Sequence, residues 1–240
     1  MGMQPTPLLC ELHAHTTWSD GTLTLTEIVD LYGRYEFDVL CLTDHAMDVG
    51  AVHVTAAAHG RYAEAIEREA RRARDQYDLL LIPGLELTFC SEDPDEAAHA
   101  LALGARTWVD LDAGVEAALG QAREAGAAIV AAHPHGWRAD PKPSRTTRWF
   151  WRNRDRIAAL VDRWEMINRQ QTFGWIAELG LPAIASGDFH RLEHLETWKT
   201  LIPSVKTEQA VIDYLRSDGC SYVVPWHLRD ATRRRTAAAA

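Results

Sequence analysis

The sequence predicts a single-domain α/β barrel, and three observations predict it. Apolar runs of strand length alternate with helix-like segments, those runs are apolar on both faces, and no linker or internal repeat divides the 240 residues. Strands buried on both faces belong to parallel sheets covered by helices. At this length, with so many alternating units, a closed barrel fits better than an open sheet.

The elements follow in order. Residues 7–15 read as a strand and 24–34 as a helix with threonines available to cap it. Residues 39–44 form a second, continuously apolar strand, and 62–76, rich in Ala, Glu and Arg, predict a helix. Residues 79–86 and 98–103 read as the third and fourth strands. Residues 111–125 are helical, with Gly126 placed to end the helix, and 127–133 form a strand of small and β-branched residues. Beyond them, 148–160 read as helix, 163–168 as extended chain and 172–179 as helix before Gly180. Residues 181–186 are a strand, 207–217 the last helix and 221–224 the last strand. The domain spans residues 1–228, and the Arg- and Ala-rich residues 229–240 read as a frayed tail.

Hydrophobic residues make up 47% and charged residues 25%, the balance of a globular protein. The net charge of -9 excludes a nucleic-acid-coating surface, but not an anionic small substrate, because bound cations outweigh the local protein charge. No basic-then-apolar leader and no run of membrane-spanning length is visible, so a cytoplasmic location is expected by default. Cys10, Cys41, Cys90 and Cys220 form no CxxC pair, and they are expected as buried, reduced thiols.

Ligand-type residues gather where the apolar strands end. His13 and His15 are two apart, so on a strand both point to one face, as two imidazoles on one cation require. His133/His135 and Asp188/His190 repeat that spacing at two other strand ends. Asp20 follows in a turn, Asp44 and His45 end the second strand, Glu86 ends the third, and His99 lies in the fourth. Each feature alone is commonplace, since a lone HxH is more often incidental. Together, at the strand ends where parallel barrels build their active sites, they point to one centre. Imidazoles and carboxylates without thiolate suit Mn, Zn or Fe. His53, His59, His194 and His227 have no such partner and read as structural or exposed.

Glu-Leu-His-Ala-His, Ser-Asp-Gly, Thr-Asp-His, Gly-Leu-Glu-Leu-Thr, Ala-His-Pro and Gly-Asp-Phe-His, in that order between Leu9 and His190, resemble the successive motifs of the PHP (polymerase and histidinol phosphatase) superfamily. The resemblance implies a distorted (β/α)7 TIM-like barrel and a centre of two to three divalent ions. Carried over residue by residue, it implies His13, His15, Glu86 and Asp188 around one ion, and Glu86 bridging to a second held by His99 and His133. Asp20, His45 and His190 would hold the third. A bridging role suits a carboxylate, which has two oxygens. Asp44 is left to orient a neighbouring group. His135 stands where relatives often have glycine, which leaves it open as an extra ligand, a substrate contact or a support for the ligands. The helical insertion that nucleotide-acting relatives carry after the fourth strand is replaced here by the short segment 104–110.

Substrate contacts are expected from Trp137 and Arg138, directly after the His133 strand, from Arg145 in the same Pro-containing segment, and from Asn168 at another strand end. With Asp44 and His135, Arg138 completes the residues expected to serve catalysis, its guanidinium binding phosphate bidentately. The function implied is hydrolysis of a small phosphate ester by water activated between the cations. Two rival functions remain: an amidohydrolase-like C–N or lactone hydrolase, and a metal-binding domain without turnover. The first calls for a carbamylated barrel lysine, and the strand segments read above contain none.

Overall fold

The computed structural model of the chain describes residues 6–47, 53–136 and 147–227. Strand β1 (Leu8–Glu11) leads through the Gly21 turn to α1 (Leu25–Arg34), β2 (Val39–Leu42) and the short β3 (His45–Ala46). The long helix α2 (Ala56–Tyr77) precedes β4 (Leu80–Phe89) and β5 (Ala98–Leu103). Then come α3 (Val115–Glu124), β6 (Ala128–Ala131), α4 (Trp149–Ile157), β7 (Arg163–Asn168), β8 (Gln171–Thr172) and α5 (Gly174–Glu178). The chain continues through β9 (Ala183–Ser186), a 3-10 turn, β10 (Trp198–Ile202), α6 (Glu208–Leu215) and β11 (Tyr222–Pro225). Thr24 caps α1 as expected: its hydroxyl accepts from Glu27 N while the Glu27 carboxylate accepts from Thr24 N, a reciprocal box that satisfies two exposed donors.

The strands form one curled, mixed sheet. β1, β2 and β4 are parallel neighbours, as are β6, β7 and β9. The expectation of an all-parallel sheet fails at β5, which runs antiparallel to β4 and β6. Only residues 90–97, with no helix, join β4 to β5, and a parallel return needs a crossover of a dozen or more residues. It fails again at β10, in a stretch for which the sequence predicts no element, which pairs antiparallel with β1 and β11. The sheet curls until the chain after β1 meets the chain after β9. There Ala14 bridges Phe189, with His15 N donating to Phe189 O and Phe189 N to His13 O.

Alternation along the strands fills two layers. Leu9, Leu40, Leu42, Leu81 and Ile129 face the helices, while Cys10, Leu12, Val39, Ile82, Leu101 and Val130 pack inside with Val211, Ile212 and Leu215 of α6. Each such side chain taken from water contributes about 1.5–3 kcal/mol. Of the cysteines, Cys10 and Cys41 are buried as expected, but Cys90 and Cys220 are exposed, because each lies just outside the apolar strand beside it. Among the described residues no helix is long and apolar enough to cross a membrane.

Candidate metal centre

The two histidines after β1 sit where the sheet closes on itself. His13 and His15 are fully buried, and their Nε2 atoms lie 3.0 Å apart. Glu86 Oε2 stands 3.4 Å from His13 Nε2 and 3.2 Å from His15 Nε2, and Asp188 Oδ1 stands 3.5 and 3.6 Å from the same atoms. Donors held about 2.0–2.1 Å from one tetrahedral ion would stand about 3.3 Å from each other, so His13, His15 and Glu86 are spaced as ligands of a single cation, with Asp188 against the two imidazoles.

Glu86 divides the centre. Its Oε1 lies 2.9 Å from His99 Nδ1 and 3.2 Å from His133 Nε2, on the other side from the His13 and His15 nitrogens that face Oε2. On a third side, Asp20 Oδ1 is 3.1 Å from His190 Nε2, 3.6 Å from His45 Nε2 and 3.7 Å from His15 Nδ1. Three overlapping groups have donor atoms close enough to share an ion: His13, His15 and Glu86; His45, Glu86 and His99; and His15, Asp20, His45 and His190. These groups hold seven of the nine residues expected as ligands, with His15, His45 and Glu86 each in two, and His133 against Glu86 and Asp188 against His13 and His15 bring in the other two.

The centre fits a cation on a further observation. Glu86 Oε2 is buried and has no hydrogen-bond partner, although His45 Nδ1 lies 2.9 Å away in poor alignment. Burial acts to raise the Glu86 pKa, but the facing His45, His13 and His99 overcome it and hold the carboxyl well below its usual range. Asp188 behaves alike: His13 and His190 overcome its burial and push it well below the carboxylate range.

Neighbouring side chains fix which imidazole nitrogen faces inward. Glu165 Oε1 accepts from His13 Nδ1 at 2.8 Å, which leaves the Nε2 lone pair toward Glu86 and Asp188. Thr88 Oγ1 donates to Glu86 O, so it accepts from His45 Nδ1 at 2.8 Å, and His45 Nε2 is left toward Asp20. Asp44 is wholly buried and is not at the cavity surface. It accepts from Thr16 N and Ser19 Oγ, and Ser19 Oγ lies 3.3 Å from His15 Nδ1, so Asp44 holds the loop that aims His15.

The backbone is strained where the centre needs it. His133, Arg169 and Asp188 all adopt positive φ, of 31°, 53° and 43°, a conformation that costs non-glycine residues about 1–3 kcal/mol each. A Cβ at Gly187 would press on the side-chain ends of Glu11 and Lys199, so a larger residue there has to displace them. Those two form a fully buried ion pair beneath the centre.

A cavity of about 560 Å³ opens onto the cluster, and His135, Asn168 and Arg169 line it. His135 joins none of the ligand groups and packs edge-on against Phe173, with ring centroids 4.9 Å apart. Asn168 donates its amide to Glu165 Oε2 at 2.9 Å. Trp137, Arg138 and Arg145 lie outside the described residues. His194, expected as merely structural, also lines the cavity and accepts from His190 N.

Sequence reasoning gave no role to Glu165, Ser19, Glu11 or Lys199. Glu165 carried a signal, a carboxylate inside an apolar strand, for which a partner is obligatory once buried. The strand segments predicted from the sequence hold no lysine, but β10, which is not among them, carries Lys199. It is committed to Glu11 at 2.6 Å and Thr197 Oγ1 at 2.8 Å and does not line the cavity.

No family model and no curated protein matches the chain. Solved structures do. A two-domain protein of Bacteroides vulgatus, described as containing a predicted PHP-like metal-dependent phosphoesterase, superposes with a TM-score of 0.67 at 22% identity over 95% of this chain and 68% of that one. The fold is that of the PHP-like proteins. A Bifidobacterium adolescentis protein carrying the provisional description metal-dependent phosphoesterase follows, with a TM-score of 0.51 at 18% identity over 76% of this chain and 87% of that one. An amidohydrolase of Chromobacterium violaceum, solved with sulfate and no metal, gives 0.50 at 18% identity over 75% and 87%. The PHP-like fold seen here thus agrees with the resemblance in the sequence motifs.

Proposed function

We propose that the protein is a PHP-superfamily phosphoesterase that hydrolyses a small phosphate ester with the help of divalent metal ions. One observation carries the reading: Glu86 Oε2, buried and without a hydrogen bond, faces the nitrogens of His13, His15 and His45. A buried carboxylate oxygen left unpaired costs a few kcal/mol, and a cation in that gap removes the cost. His13, His15, Glu86 and Asp188 would hold one ion, Glu86, His99 and His133 a second, and Asp20, His45 and His190 a third. Ions so held act as Lewis acids toward a phosphoryl oxygen and lower the pKa of water.

The chain's own residues do the rest. Arg169 lines the cavity with its guanidinium against Asp188 and about a third exposed, and its charge would bind the ester's phosphoryl oxygens. Arg138, Trp137 and Arg145 belong to the same proposal as further substrate contacts. Glu165 and Asp44 act through His13 and His15, holding each ring in the tautomer and direction that the centre uses.

The amidohydrolase reading has one fold neighbour in its favour, yet the lysine it would employ is locked in the Glu11 ion pair. A panel of phosphate monoesters and diesters, amides and lactones assayed with Mn²⁺, Zn²⁺ and Fe²⁺ separates the two. Phosphate-ester turnover that chelation abolishes is expected. Metal-loaded protein that cleaves amides or lactones and no phosphate ester would overturn the proposal.

A further inference from the structure

We infer that the centre is shaped for a phosphodiester, with one ester arm on each side of the His and carboxylate cluster; this rests on the phosphoesterase reading above. Two cavities meet at the cluster. The larger, about 560 Å³, is walled by Asn168, Arg169, Gln170, Gln171, Glu193 and Thr197. The smaller, about 330 Å³, is walled by Met47, His53, Thr88, Cys90, Ser91 and Ala97. Asp20, His45 and His99 line both. A phosphoryl group held at those shared residues lies between the chambers. A monoester has one organic substituent and would leave one chamber to water, whereas a diester has two and fills both.

The chambers differ in chemistry, so the arms should differ too. Amides, a hydroxyl and a carboxylate in the larger one, beside the Arg169 guanidinium that faces the phosphoryl group, match a hydroxyl-rich or nucleoside-like arm. The smaller one offers a thioether, a methyl group and few polar atoms. Thr88 Oγ1 is already engaged by His45 and Glu86 O, and Ser91 Oγ by Glu96 and Asp93. His53 Nε2, by contrast, is buried with no hydrogen-bond partner. This chamber therefore fits a compact, largely apolar arm carrying one group that can hydrogen-bond to an imidazole. Its volume is at the low end for small-molecule sites and ample for one ring, since a cavity of about 150 Å³ already takes benzene. Hydrolysis consumes one water: its oxygen bonds to phosphorus, one P–O ester bond breaks, and the departing oxygen takes up a proton. A monoester and an alcohol leave.

The test uses the full chain loaded with Mn²⁺. Initial rates are compared for bis(p-nitrophenyl) phosphate and p-nitrophenyl phosphate, and calorimetry compares diphenylphosphinate with phenylphosphonate, which mimic the two esters and cannot be hydrolysed. The diester should be preferred at least tenfold in kcat/KM, and diphenylphosphinate should bind at least tenfold tighter. Ser91→Trp, at an exposed position, and Ala97→Leu should each shrink both preferences by filling the smaller chamber. A preference for the monoester and for phenylphosphonate overturns the inference and leaves the phosphoesterase reading standing. So do variants that lower both substrates equally. If metal-loaded protein hydrolyses neither ester, the phosphoesterase reading fails and takes the inference with it.

Discussion

Lys199 Nζ lies 2.6 Å from Glu11 Oε2, and neither side chain is exposed to solvent. The remaining lone pairs of Glu11 accept from Tyr32 OH at 3.1 Å, Gly187 N at 2.9 Å and His13 N at 3.3 Å. One carboxylate thus ties the backbone beside His13 to the backbone beside Asp188. Burial pulls the Lys199 pKa down further than Glu11 restores it.

Removing one partner leaves the other charge buried and unpaired, so Lys199→Met should cost about 3–5 kcal/mol in urea unfolding of the metal-free protein. The double change Glu11→Leu with Lys199→Met should recover much of that loss. An unchanged midpoint for Lys199→Met would show that the pair does not support the frame.

Glu165→Gln should weaken metal binding about 10- to 100-fold, the usual effect of losing a carboxylate that orients a ligating histidine. Chelator competition measures the affinity, and circular dichroism should show the fold retained. Equal affinity in both proteins would remove Glu165 from the centre.

Gently purified protein should carry about two to three divalent ions per chain. Glu86→Gln should lose at least one of them, because its two carboxylate oxygens face different sides of the cluster. Elemental analysis reads this directly, and full occupancy in the variant would contradict the bridging role.

The centre also predicts opposite pH trends with and without metal. Burial lowers the His190 pKa, but Asp188 and Asp20 outweigh it and bring it to about 9, while burial holds His15 at about 3. His13 and His45 are raised as well, their burial overcome chiefly by Asp188 and Glu86 respectively. A group with a raised folded pKa stabilises the fold fully below its unfolded value, about 6.5 for histidine, and that contribution fades as pH rises through the folded value. Chelated protein should therefore lose stability between about pH 6.5 and about pH 9. Metal affinity should climb over the same interval, tenfold or more per pH unit, as these histidines give up protons. Melting curves with and without chelator, alongside metal titrations, test both trends, and affinity independent of pH would refute the ligand assignment.

Arg169→Ala should lower kcat/KM for a phosphate ester about 10²- to 10³-fold, or roughly 2.7–4 kcal/mol, the scale of losing one charge-stabilising donor. Arg169→Lys should restore part of it. Metal content, measured in parallel, separates loss of substrate binding from disturbance of Asp188.

Local spacing made much of this legible in the sequence. β5 and β7 have the expected bounds, Ala98–Leu103 and Arg163–Asn168, and of the pairs two apart at strand ends His13/His15 and Asp188/His190 converge, while His135 stays out of the ligand groups that His133 adjoins. Periodicity does not encode strand direction, so antiparallel β5 was read as parallel. β10 escaped because Lys199 and Thr200 interrupt its apolar pattern. Those polar side chains are satisfied by Glu11, 188 residues away, and by Ala185. Glu165 was missed for the same reason, since His13 is 152 residues from it. What the sequence concealed was long-range partnership.

The short connection between β4 and β5 bears on the order of assembly. Glu86 and His99 are 13 residues apart and share one strand pairing, whereas β1 pairs with β10, in register Leu9 to Leu201. Contacts close in sequence close small loops and form early, and distant pairings must wait. A nascent chain can therefore present the Glu86 and His99 pair long before His13 and Asp188 have been brought together. A metal ion available during synthesis would meet that pair first, so loading of the centre can begin before the sheet has closed.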